Sequence, residues 1–219
     1  LIALAYILIK RELRLKIPPE RLRPVSAGIL LLSVAPFGLA MSPNISLIII
    51  NRFSASYGGE AAIATYACIA YVICVIYLIL QGVGDGSQPL ISRRYGEGDA
   101  AGMRSVRRLA YGFALFLAAA GCLVMYFTRD SLGLLFGTSD GVNAEVAGIM
   151  PIFLISVPFV AVTRVTTASF YACEKSLYSY VLTFIEPALM LVFMLALPPF
   201  FGGQLMIWWS TVIARVLSA

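Results

Sequence analysis

Histidine is absent from this 219-residue chain, and with it the side chain that most often serves as general base and metal ligand near neutral pH. Charge is scarce: Asp, Glu, Lys and Arg make up 12% of residues, against about 25% in a soluble domain. Cysteine is limited to Cys68, Cys74, Cys122 and Cys173, which sit in or beside apolar runs and form no CxxC pair. That spacing argues against a disulfide framework or a zinc site. No positively charged leader followed by a short apolar core and a cleavage site is visible. In place of these there is hydrophobicity, 60% of residues with a mean hydropathy of +0.91. Such a composition excludes an ordinary water-soluble globule, and it excludes disorder because apolar surface is easily buried.

The apolar residues fall into runs at about 26–50, 61–84, 109–127, 146–168, 177–198 and 204–219. The first five approach the roughly 20 residues that cross a bilayer as a helix. Within lipid each segment must satisfy its own backbone hydrogen bonds, so the runs predict helices. Barrel strands would need alternating segments of about ten residues. The expected fold class is all-α, a polytopic transmembrane bundle of six helices over 26–219. Residues 1–25 read as the tail of a preceding membrane helix plus a basic loop. The chain opens at Leu1 and closes inside an apolar run, as a piece of a longer protein would.

The 16 basic residues alternate between sides. Six lie in 10–24 (Lys10, Arg11, Arg14, Lys16, Arg21, Arg23) and five in 92–108 (Arg93, Arg94, Arg104, Arg107, Arg108). The intervening stretches carry only Arg52 and Arg129; Arg164, Lys175 and Arg215 fall on the rich side. The positive-inside rule places the rich side in the cytoplasm. The net charge of +5 is then a topology signal, and no nucleic-acid partner is expected, since that would need the charge gathered on one face. Trp208, Trp209, Phe200 and Phe201 are expected to flank an outer turn at the membrane interface.

Polar breaks inside the runs mark candidate sites. Pro36 and Pro43 are seven residues apart, as are Pro151 and Pro158, so each pair marks one helix face. Each proline frees the carbonyl four residues before it. With Ser42, Asn44 and Ser46 beside Pro43, the first pair fits either a kinked packing seam or a bent helix lining a wet cavity. Tyr66, Tyr77, Gln81 and Gln88 fall close to one stripe, which fits either a helix–helix seam or the wall of a substrate path. The glycines of GVGDGS around Asp85 do not make a nucleotide-binding loop, since no GK[ST] follows and a helix precedes; they are expected to end the helix. Asp99 is expected to cap the next one.

Glu186 is the strongest candidate. It lies mid-run in YVLTFIEPALMLVFMLAL, where a carboxylate is costly unless paired, protonated or hydrated. Pro187 frees the Thr183 carbonyl beside it, and a carboxylate with a free carbonyl suits a proton or Na⁺ site. Arg164 and Glu186 lie equally far from Lys175 along antiparallel helices, which predicts similar depth and a pair between them. A tight pair would hold Glu186 as a permanent anion.

The stretches INRFSASYGGEAAIATYACIAYV and QGVGDGSQPLISRRYGEGD, followed by SFYACEKSLYSYVLTFIEPALM and LPPFFGGQLMIWWS, resemble the multidrug and toxic compound extrusion (MATE) family. The pattern is Asn-Arg at a helix end, a Gly-Gly-Glu turn, a long apolar helix, then QPLIS and Tyr-Gly. It covers about residues 24–219. The resemblance implies the carboxy-terminal six-helix lobe of a twelve-helix transporter, with the amino-terminal lobe as its partner. It implies a non-enzymatic, Na⁺- or H⁺-coupled antiporter that exports amphipathic drugs or toxic compounds by alternating access from the bacterial cytoplasmic membrane, with no other cofactor. Glu186 would be the ion-coupling group, and Arg164, Asn44, Ser42, Gln81 and Tyr77 would line the substrate cavity. Where many relatives carry a carboxylate in the seventh helix, this sequence reads Gly38-Leu39-Ala40-Met41. A lipid-linked saccharide flippase of related architecture, or a non-transporting assembly subunit, are the alternatives; an intramembrane enzyme lacks any catalytic constellation.

Overall fold

The computed structural model describes residues 19–219. The helix tail expected at 1–9 and most of the basic loop at 10–24 lie outside the described residues; from Pro19 onward the backbone is helical. Six α-helices and no strand are found among the described residues. They are α1 (Pro19–Gly96), α2 (Ala100–Leu132), α3 (Asp140–Leu154), α4 (Val157–Ala172), α5 (Ser176–Phe201) and α6 (Gly203–Ser218), with a 3-10 turn at Gly133–Phe136 after α2. The chain divides into two compact units, Leu1–Phe37 and Gly38–Ala219. In the first, the described residues 19–37 are helical, and Ser33 Oγ donates to the Ile29 carbonyl at 2.6 Å. The second holds all that follows.

Glycine breaks the helices where the sequence places turns. α1 is interrupted at Gly59, whose φ of 64° and ψ of −156° lie in a region open essentially to glycine alone. α5 ends at Gly202, left-handed at φ 109°, whose N–H donates to the Pro198 carbonyl. The turn between α4 and α5 falls at Glu174 and Lys175, as the sequence suggests. Asp99 caps α2 by accepting from the Gly102 N–H at 2.8 Å. Such a cap contributes about 1 kcal/mol. It orders the α1–α2 junction more than the exposed pairs of Arg93 and Arg94 with Glu97 and Asp99, each worth about 0–1 kcal/mol.

Two expectations fail here. The GVGDGS glycines do not end a helix: α1 continues through them to Gly96. Gly84 instead permits close packing, since a Cβ there would lie 3.1 Å from the Arg164 carbonyl oxygen of α4. The run at 146–168 is not one straight span either. It belongs to two helices, α3 and α4, bent by 48° at 155–156. The bend follows from Pro158 near the start of α4, which removes a donor from the Leu154 carbonyl. Cys122 Sγ approaches that oxygen at 3.6 Å, and Ser156 Oγ donates to the Phe153 carbonyl at 2.7 Å.

The bundle is apolar outside as well as inside. Ala110, Ala114 and Ala118 form the buried stripe of α2, while Leu109, Phe116 and Phe127 stand exposed on it. Small residues let α2 approach α3 and α4 closely, and its opposite face suits lipid. Three helices are long and apolar enough to cross a membrane (Met41–Gly96, Ala100–Leu132 and Leu177–Phe201), and the bent α3–α4 pair makes a fourth. The core of the second unit is built from α1, α3, α5 and α6: Ile50, Ile69, Met150, Met190, Met194 and Trp208 are fully buried or nearly so. Trp208 is therefore not an interfacial ring. It is 1% exposed, stacks on Tyr66 at 5.8 Å and lies 5.7 Å from Phe153. Ring pairs of this kind contribute about 0.5–1.5 kcal/mol each beyond their burial, and they fix how α1, α3 and α6 meet. Phe200 and Phe201 at the α5–α6 turn are exposed.

Candidate functional site

Beside this aromatic cluster the second unit holds a partly open cavity of about 360 Å³. Its walls come from α1, α3, α4, α5 and α6, and they are mostly apolar. Among its lining residues are Ser42, Asn44, Tyr77, Arg164, Glu186 and Arg215. Five residues singled out from the sequence thus share one cavity. Gln81 does not line it. It sits a turn beyond Tyr77, where its amide donates to Asp85 Oδ1 at 2.8 Å. The stripe proposed for α1 therefore splits: Tyr66 and Tyr77 face the cavity, whereas Gln81 and Gln88 do not.

The charge pair differs from the expected one. Glu186 is paired with Arg215 of α6, not with Arg164: Arg215 Nε donates to Glu186 Oε1 at 3.1 Å. Arg215, assigned from the sequence to the basic side, is 9% exposed. Its guanidinium also lies 5.3 Å above the Tyr77 ring, close enough for a cation–π contact. Equal distance from the α4–α5 turn fixes the height of Arg164 along the bundle and says nothing of which way each helix turns its face. Antiparallel α5 and α6, joined at Gly202 and Gly203, pack along their length and bring Arg215 to the carboxylate. One sequence signal pointed to Arg215: it is the lone charge inside LMIWWSTVIARVL, and an ionisable residue within a span calls for a partner.

The oxygen freed by Pro187 is also spoken for. Ser42 Oγ of α1 donates to the Thr183 carbonyl at 2.8 Å, while the Thr183 hydroxyl donates to Ser179 one turn back at 2.7 Å. Ser42 thus ties α1 to the weakened turn of α5 directly below Glu186. Tyr77 and Ser156 approach at 3.4 Å. Because the Ser156 hydrogen is committed to Phe153, Tyr77 is the donor, and it links the cavity wall to the α3–α4 bend. The Arg164 side chain makes no hydrogen bond or ion pair among the described residues, and the residue lines the cavity. No group of three or more metal-ligating side chains occurs among the described residues.

Long apolar helices around a cavity that holds charge define a multi-pass membrane lobe with a transporter fold. The MatE family model matches residues 36–197, and the chain belongs to that family. Its structure superposes on the outward-facing conformation of a multidrug resistance MATE family transporter of the MOP superfamily, with a TM-score of 0.85 and 17% identity over 100% of this chain and 50% of that one. It is similar to a MATE in the bent conformation (TM-score 0.82, 18% identity, 99% of this chain, 49% of that chain). It is similar as well to a MATE in complex with MaL6 (TM-score 0.82, 16% identity, 99% and 50%). The chain spans about half the length of the solved structures it matches. No curated protein matches its sequence.

Proposed function

We propose that this chain is one lobe of an exporter of amphipathic compounds in the bacterial cytoplasmic membrane, working by alternating access against a second lobe and driven by entry of Na⁺ or H⁺. The observation that carries this reading is the Glu186–Arg215 pair in the wall of a cavity among apolar helices. Residues of a membrane core that bear charge mark transport paths by default, and carriers built from paired lobes bind substrate near the midplane.

Coupling requires two states of one element that the ion and the substrate bias differently. Glu186 and Arg215 supply such an element. Paired, the two are neutral together, and α5 is tied to α6. A proton or Na⁺ on Glu186 would take Arg215's place and leave the guanidinium to the Tyr77 ring already beneath it. Pro187 gives α5 the break at which it can bend. Glu186→Gln in the full-length protein should abolish gradient-driven efflux while the protein is still made and inserted. Undiminished drug resistance in that variant would remove Glu186 from the mechanism.

A further inference from the structure

We propose that this cavity receives the negatively charged end of an amphipathic organic anion, with Arg164 as its counter-charge. The inference rests on the transport reading above and names its substrate class. Of the residues lining the cavity three carry charge: Arg164, Arg215 and Glu186. Two guanidiniums against one carboxylate leave one net positive charge. In the paired state the carboxylate is not open to an organic cation, because Arg215 holds it at 3.1 Å. The guanidinium of Arg164 is free, having no ion pair among the described residues. An uncompensated charge in a low-dielectric wall attracts the opposite sign strongly, and an organic cation held beside Arg164 would meet its repulsion while the one carboxylate of this lining is engaged by Arg215.

The rest of the lining defines the ligand further. The guanidinium presents a planar fork of donors that matches a carboxylate, sulfonate or phosphate. Thr163 and Thr167 lie beside Arg164 in the lining from α4, the Thr163 hydroxyl donating to the Phe159 carbonyl at 3.1 Å, while Ile69, Ile73 and Leu182 offer apolar contact. A volume of about 360 Å³ lies in the range of drug-sized sites. The fit is to a small aromatic anion with an acidic group that meets Arg164.

The test uses the full-length protein in proteoliposomes with imposed Na⁺ and H⁺ gradients, and two fluorescent probes, carboxyfluorescein as anion and ethidium as cation. The wild type should move carboxyfluorescein, and ethidium should not compete. Arg164→Gln should raise the KM for carboxyfluorescein about tenfold or more, the loss of one charge-assisted contact, and Arg164→Lys should restore most of it. A structural role alone would not distinguish Gln from Lys in this way. Transport of ethidium without carboxyfluorescein, or unchanged carboxyfluorescein kinetics in Arg164→Gln, overturns the anion assignment and leaves the transport reading standing. Movement of neither probe under any gradient overturns both.

Discussion

Ser42 Oγ donates at 2.8 Å to the carbonyl of Thr183, the oxygen that Pro187, four residues on, deprives of its helical donor. A break in one helix is thereby satisfied by a side chain of another. This gives Ser42 a role in holding α1 against α5, in addition to its place in the cavity wall.

That relationship predicts a specific coupling. Ser42→Ala leaves a buried carbonyl without a donor and should cost about 1–3 kcal/mol. Pro187→Ala restores an N–H to the Thr183 carbonyl, so in that background Ser42→Ala should cost far less. Thermal unfolding of the purified protein in detergent, followed for the two single variants and the double variant, measures the coupling. Additive losses would show that Ser42 does not serve the freed carbonyl.

The ion pair predicts an asymmetric cycle. Removing one partner by Glu186→Gln or Arg215→Gln strands the other charge in an apolar wall, at about 3–5 kcal/mol. Replacing both by Glu186→Gln with Arg215→Met removes the stranded charge and should recover much of that loss. The same unfolding assay reads it. A double variant as unstable as the worse single one would mean that the two side chains do not compensate each other.

The cavity predicts where water reaches. Cys74 is exposed and lines the cavity, whereas Cys68 and Cys173 are buried. Reaction of a thiol needs the thiolate, which forms only where water is present. A membrane-permeant maleimide should therefore label Cys74 in intact membranes before Cys68 or Cys173, and the bulky adduct should block efflux. Peptide mass mapping after a short exposure identifies the site. Equal labelling of Cys68 would contradict a wet cavity confined to one side of that helix.

Much of this was legible in the sequence. The helices follow from apolar runs in which no strand can be satisfied. The breaks at Gly59 and Gly202 follow from Gly-Gly pairs between runs, and the α2 cap from Asp99. Ser42, Asn44, Tyr77, Arg164 and Glu186 are each marked by polarity out of place, and one cavity holds them all. Gln81 carries the same mark and lies elsewhere, because a stripe on a long helix also covers turns that extend past the cavity. The GVGDGS glycines look like a helix end, but glycine also serves close packing, and the carbonyl of Arg164 opposite Gly84 could not be foreseen from α1 alone.

The sequence by itself determined that Glu186 needs a partner and that the Thr183 carbonyl needs a donor, because both are solvation requirements of single groups in an apolar surrounding. Which groups meet them, Arg215 rather than Arg164 for the carboxylate and Ser42 for the carbonyl, was decided only by tertiary structure. Depth along a helix is counted in residues, whereas the direction a side chain faces depends on how its helix packs against every neighbour.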